Sequence, residues 1–148
     1  MLKRAGADTV VATDDQDLTQ AVLDATGGEG VDVVLDHVGG QTFADCLPST
    51  RVDGHVVDIG RLGQAESTIN LDALSYRHLH VRGVSFGFSR PEALGQVIAA
   101  LFDEVIPAVA DGRIHPVIDS VHTLGRADEA ADRMRSHQAH GKIIPTVH

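Results

Sequence analysis

Apolar positions along this chain fall in short bursts fenced by glycines or charged turns. Two of them, 31–35 (VDVVL) and 55–59 (HVVDI), lie between glycines with a helix-sized segment separating them. Near-continuous Val/Ile/Leu runs of this kind form strands buried on both faces of a parallel sheet. In doubly wound sheets the ligand sits outside the carboxyl ends of such strands. A glycine there lets backbone and ligand approach closely.

The rest of the chain alternates strand and helix around that pair. Residues 1–7 read as the last turn of a helix stopped by Gly6, and 8–12 (DTVVA) as a short strand. Thr13 to Gln16 have capping-box spacing, and Leu18, Val22 and Ala25 follow at helical intervals until Gly27 and Gly28. A helix is predicted over 41–50 with Phe43, Ala44 and Leu47 inward, its end made irregular by Pro48. One helical turn is predicted within 70–77, then an edge strand at 79–86 (LHVRGVSF), where Arg82 discourages random pairing. Ser89 to Glu92 form a second capping box, with Pro91 in the first turn.

The helix that follows is the longest, with Leu94, Val97, Ile98, Leu101, Phe102 and Val105 in one stripe. Pro107 kinks it and Gly112 ends it. The tail adds an extended piece at 117–121, a helix over 125–136 and a strand at 142–147. The pattern predicts an α/β fold with a mostly parallel sheet.

Composition narrows the function classes. The 148 residues are enough for one real core. A net charge of −9 argues against nucleic acid, whose phosphates require a basic face, and against an anionic membrane surface. A single cysteine, Cys46, excludes an internal disulfide and fits a reducing compartment. No uninterrupted apolar run approaches the roughly 20 residues of a spanning helix, and no apolar signal core follows the basic pair near the N-terminus. The expectation is a soluble, cytoplasmic protein acting on a small molecule.

Four motifs in order carry a family resemblance. They are GADTVVAT with ATGGEGVDVVLDHVGG, then DGHVVDIGRLG, then VIPAVADGRIHPVIDSVHTL, and last ADEAADRM with GKIIPTV. Together they resemble the C-terminal part of the medium-chain dehydrogenase/reductase superfamily, closest to its zinc-independent, NADPH-dependent quinone oxidoreductase (zeta-crystallin-like) branch. The resemblance implies a partial Rossmann domain over 1–112 that lacks the first two strands. It also implies a segment, 113–148, that in the family returns to the catalytic domain.

The family's barrel-like catalytic domain and Gly-rich pyrophosphate turn have no counterpart in these residues. GGEG at 27–30 precedes a strand, whereas the phosphate fingerprint follows one. Asp36 ends a strand like the ribose-binding acid, but no Gly-rich turn lies about 20 residues before it. The chain therefore reads as a fragment or truncated product of a longer enzyme. In strand order 3-2-1-4-5-6 the absent strands would separate 8–12 from 31–35, and 8–12 is expected to move beside 31–35 to cover an open apolar edge.

The resemblance also implies a site. His37, Val38 and Gly39 would face the nicotinamide ribose, and Gly60, Arg61 and Leu62 would lie beside the nicotinamide, largely through backbone groups. Phe86, Gly87 and Arg90 follow the next strand, and Arg90 could pair with a cofactor phosphate. Hydride would pass directly from NADPH to a quinone or enone, with the protein supplying orientation and a dry crevice. No catalytic side chain is assigned, and the 148 residues alone are expected to bind NADPH weakly and turn nothing over.

Other readings are a zinc-type alcohol dehydrogenase, a polyketide-synthase enoyl reductase, or a non-catalytic dimerisation module. The last follows because the family's sixth strand, here 79–86, pairs with its copy in a homodimer. The histidines raise a metal hypothesis through His78 with His80 and His137 with His140. Neither pair has a cysteine or carboxylate at ligand spacing, so no metal is expected. Cys46 reads as a small core residue, and Asp36 and Asp58 as acids that hydrogen-bond loops.

Overall fold

The two central runs lie side by side and parallel, as their pattern predicts. In the computed structural model, which describes residues 2–85, 87, 90–136 and 138–147, β1 (Val31–Asp36) pairs with β2 (Thr50–Asp58). The second strand pairs in turn with β3 (His80–Gly83), giving a three-stranded sheet of order β1-β2-β3 with every pairing parallel. Parallel neighbours require crossovers. These are supplied by α2 (Gly40–Cys46) between β1 and β2 and by α3 (Leu71–Tyr76) between β2 and β3.

The core of this unit, Leu2–Ser89, is small and sits under α2 and the middle of β2. Leu47 and Val56 are fully buried, each contributing about 1.5–3 kcal/mol over an exposed position. Ser49 and Thr50 are buried as well, and their hydroxyls donate to the Cys46 carbonyl at 3.1 and 2.7 Å. Those bonds end α2 at Cys46, short of the predicted Thr50, and Pro48 prevents its continuation. The pairing of β1 with β2 jumps from Val31–Thr50 to Val33–His55, and Asp53 in the extra stretch takes φ +60°.

Residues 8–12 do not join the sheet, contrary to expectation. They form no strand, Val10 is exposed, and the edge of β1 stays open with Val33 and Leu35 more than half exposed. Local bonds hold the segment elsewhere. Ala12 donates to the Gln16 Oε1 at 2.9 Å and accepts from the amides of Asp15 and Gln16. The helix α1 (Leu18–Ala25) is fixed to α2 by the Thr19 hydroxyl, which donates to the Asp45 carbonyl at 2.8 Å. A groove of about 390 Å³ consequently separates 8–11 from Val31, floored by Ala21, Val22 and Ala25.

Two caps also differ from the sequence reading. The first helix is capped by Asp17, whose carboxylate accepts from Gln20 N, so Thr13–Gln16 form a turn instead of the cap. At the second predicted capping box, α4 (Pro91–Ala100) has Arg90 as N-cap with no side-chain cap bond, and Ser89 lies outside the described residues.

In the second unit, Arg90–His148, that helix continues through one π turn, Leu101–Val105, into α5 (Ile106–Ala110). Pro107 lacks an N–H and its ring crowds the carbonyl four residues back, which widens the turn before it. The whole helix, Pro91–Ala110, is long and apolar enough to cross a membrane by length and composition, with an 18-residue window of mean hydropathy 1.6. The run-by-run reading misses this because Gln96, Asp103 and Glu104 interrupt the apolar letters without ending the helix.

A two-stranded parallel sheet, β4 (Ile118–Thr123) with β5 (Lys142–Thr146), brackets α6 (Ala127–Arg135). Arg133 grips the Asp119 carboxylate with two bonds, at 2.5 and 2.8 Å, and the His140 amide donates to it at 2.9 Å. The Asp119 side chain is only 4% exposed.

Those hydrogen bonds hold the Asp119 carboxyl well below the usual carboxylate range, the Arg133 guanidinium first and the His140 amide second. A lowered folded value means the linkage stabilises the fold above the unfolded value. It is lost as pH falls below about 4. Amide protection factors in β4 and α6, exchange rates referred to the intrinsic rate at each pH, should therefore fall below that pH in the native chain. In Asp119→Asn they should already be low at pH 7 and change little with acid. Equal acid sensitivity in both proteins would refute the assignment.

Candidate functional site

At the carboxyl ends of β1 and β2 two loops run backbone against backbone. Asp36, the last residue of β1, is 4% exposed and anchors both. Its carboxylate accepts from the amide of Val38 at 2.9 Å and from that of Gly39 at 3.0 and 3.2 Å. Its carbonyl accepts from the amides of Ile59 and Gly60 at 2.8 and 3.2 Å. Beyond it the loops close like a zip. Leu62 N donates to His37 O at 3.2 Å, and Gly63 N and Gln64 N donate to Val38 O at 2.9 and 3.3 Å. The Ser67 hydroxyl then donates to Gly40 O at 2.7 Å.

This approach depends on missing side chains. Gly39 has φ +76°, and a Cβ there would stand 2.3 Å from the Gln64 carbonyl oxygen. A Cβ on Gly60 would meet the His37 oxygen at 3.0 Å. The zip uses the inner backbone groups and leaves outer ones over. Among the described residues the carbonyls of Gly60, Arg61 and Leu62 accept no hydrogen bond.

A cleft of about 210 Å³ lies beside the zipped loops, lined by Gly39, Phe43, Asp58, Arg61, Ser67 and Val81 among others. Its charged pair is internal, the Arg61 Nη1 donating to Asp58 Oδ2 at 3.0 Å. The other Asp58 oxygen is buried and has no partner among the described residues. Cys46, the last residue of α2, is half-buried, and burial, then the charges of Asp36 and Asp45, push its thiol up to about 11. That makes it a neutral packing group at physiological pH.

The structure thus gathers six of the residues singled out from sequence: His37, Val38, Gly39, Gly60, Arg61 and Leu62. Gly39 is buried inside the zip, while His37, Val38, Arg61 and Leu62 are exposed. Gly87 is exposed beyond β3, Phe86 lies outside the described residues, and Arg90 stands in the other unit. Sequence reasoning placed Asp36 and Asp58 in hydrogen-bonding loops but missed Gln64 and Ser67, which fasten the second loop. Their only signal is position after a strand that ends in glycine.

The loops offer unused backbone acceptors beside an apolar cleft at strand ends, which suits an amide-bearing heteroaromatic ring. For a metal in this cleft the fit fails, since its lining carries a single carboxylate, Asp58, already paired with Arg61.

Comparison with known proteins adds lineage. The family described as zinc-binding dehydrogenase matches residues 5–144. A "probable quinone oxidoreductase" of Schizosaccharomyces pombe is 32% identical over 136 residues, 90% of this chain and 40% of that protein. A "highly reducing polyketide synthase" of Penicillium rubens is 30% identical over 150 residues, 95% of this chain and 6% of that one. The quinone oxidoreductase structure of Pseudomonas syringae pv. tomato superposes with a TM-score of 0.77 at 26% identity, covering 97% of this chain and 44% of its own. The chain thus spans about two fifths of the quinone oxidoreductases it matches.

Gly39→Ala should loosen the zip. The positive φ and the clash with Gln64 O together should cost about 1–3 kcal/mol of stability. Faster amide exchange at Gly60, Leu62 and Gly63 should accompany the loss. Gly6→Ala is the control, because nothing lies within 4 Å of its Cβ although its φ is also positive. Equal effects of the two substitutions, read by urea unfolding, would refute the back-to-back contact.

Proposed function

We infer that this chain, which belongs to the zinc-binding dehydrogenase family as the C-terminal cofactor domain of a medium-chain dehydrogenase/reductase, forms one wall of a nicotinamide pocket. The wall is made by the zipped loops after β1 and β2, and this single arrangement carries the reading. The coarse activity is that of an oxidoreductase using a nicotinamide cofactor. Beyond that we propose NADPH as the cofactor and a quinone or enone-type acceptor. When bound, the nicotinamide supplies the hydride.

The chain's own residues would act by position. The carbonyls of Gly60, Arg61 and Leu62 are free to take a carboxamide N–H, and Asp36 stiffens the loop that carries them. Phe43 and Val81 keep the adjoining cleft apolar, which favours a transfer that must exclude water. No side chain here needs to exchange a proton with substrate. GGEG at 27–30 enters a strand instead of opening a helix, so these residues hold the nicotinamide end of a dinucleotide and not its pyrophosphate. We place the protein in the cytoplasm, from its charge and single cysteine.

Nicotinamide mononucleotide at millimolar concentration should shift the backbone amide resonances of 37–39 and 60–64 in the 148-residue chain. NADPH:quinone turnover by that chain should stay at the no-enzyme rate. Shifts confined to other residues would overturn the pocket assignment, and robust turnover would overturn the proposed inactivity.

The homodimer is a separate proposal. It is supported by β3, a four-residue strand at the sheet edge with every residue exposed. Light scattering should give twice the monomer mass, reduced by Val81→Pro, which removes an edge donor. A native monomer would eliminate this reading.

A further inference from the structure

The sequence pairs His78 with His80 along one strand, but the fold pairs His80 with His55 across two. His78 takes φ +51° and falls outside β3, so it no longer shares that strand's face. Its imidazole turns instead toward Asp53, with Nδ1 3.7 Å from Oδ1. His80 stands in register with His55 of β2, and their rings stack with centroids 4.7 Å apart and planes 18° from parallel. Both residues are exposed.

Register is what makes this pair dependable. The next rung joins Val56, fully buried, to Val81, and two more rungs follow. A one-residue slip would carry Val56 to the open face and break the core. The two imidazoles are thus neighbours in the folded chain only.

We propose that His55 and His80 form a two-imidazole site for a late first-row divalent ion, Cu²⁺ ahead of Ni²⁺ or Zn²⁺, with water completing the coordination. Imidazole nitrogen suits these ions, and Cu²⁺ heads the affinity order among them. Neighbouring strands lie about 4.7–4.9 Å apart, near enough for two rings in register to turn toward one ion. Because the rings are exposed, that rotation meets no packed neighbour. Zinc held structurally takes four protein ligands, so a pair favours an ion content with water. Arg82, two residues beyond His80, lowers affinity for any cation, while Asp53, two residues before His55 in β2, offsets it. A bound ion would clip β3 to β2. The site lies on the other face of the sheet from Val56 and Val81, and Val81 is the strand residue that lines the nicotinamide cleft.

The test uses Cu²⁺ alone with the 148-residue chain at pH 7.5. The first equivalent should give an electron paramagnetic resonance spectrum with coupling to two imidazole nitrogens, and added Cu²⁺ should raise the thermal unfolding midpoint. His55→Gln and His80→Gln should each weaken binding at least about tenfold, because the remaining ring binds without its partner. Both effects should persist in His78→Gln. The nitrogen coupling is read on the native protein and needs no variant to fold. Wild-type affinity in either the His55 or the His80 variant, a one-nitrogen spectrum, or loss in His78→Gln would overturn the site.

Discussion

Two backbones held in van der Waals contact, with a carboxylate at the pivot, govern the functional end of this protein. Asp36 satisfies two amides of one loop with its side chain and two of the other with its carbonyl. It is nearly buried, and a buried carboxylate is tolerable only when such donors surround it. Everything after β1 and β2 takes its direction from that residue. The glycines matter because the loops touch, and the loops touch because Asp36 turns the first of them back.

A wall built from peptide groups has chemical consequences. It can orient a flat, amide-bearing ring through carbonyls without any distinctive side chain. Oxidoreductases that pass a hydride need orientation and dryness more than they need a nucleophile. Such a site leaves little trace in composition. The unpartnered oxygen of Asp58 is the one exception in the cleft, a polar atom without a described donor. The thiol of Cys46 belongs to the packing behind the site and takes no part in it.

The legible and illegible parts of the chain divide along one physical line. The pairing of 31–35 with 55–59 could be read because Val/Ile/Leu runs joined by a helix-sized segment mark parallel neighbours, although Val33, Leu35 and His55 stay exposed here. The loop residues from His37 to Leu62 were legible through glycine at strand ends. Residues 8–12 were misread, since a strand is defined by its neighbour and the letters DTVVA carry no information about whether one is present. Asp17 displaced Thr13 as the N-cap because several capping residues in a row compete for one helix start. His78 looked like a partner for His80 until a positive φ, invisible in the letters, moved it off the strand. The long helix was legible with its kink at Pro107 and its end near Gly112, but its overall apolarity was not, as charged residues break a run of letters without breaking the helix.

The open flank of β1 bears on how the isolated chain behaves at high concentration. Its unpaired amides and carbonyls, with Val33 and Leu35 turned to water, are a template onto which another strand can stack. Asp32 sits in the middle of that template, tied to Arg51 at 2.7 Å, and acts as a gatekeeper against stacking. The overall charge of −9 adds mutual repulsion between molecules. Colloidal stability here is therefore electrostatic, and it fades as added salt shortens the reach of that repulsion.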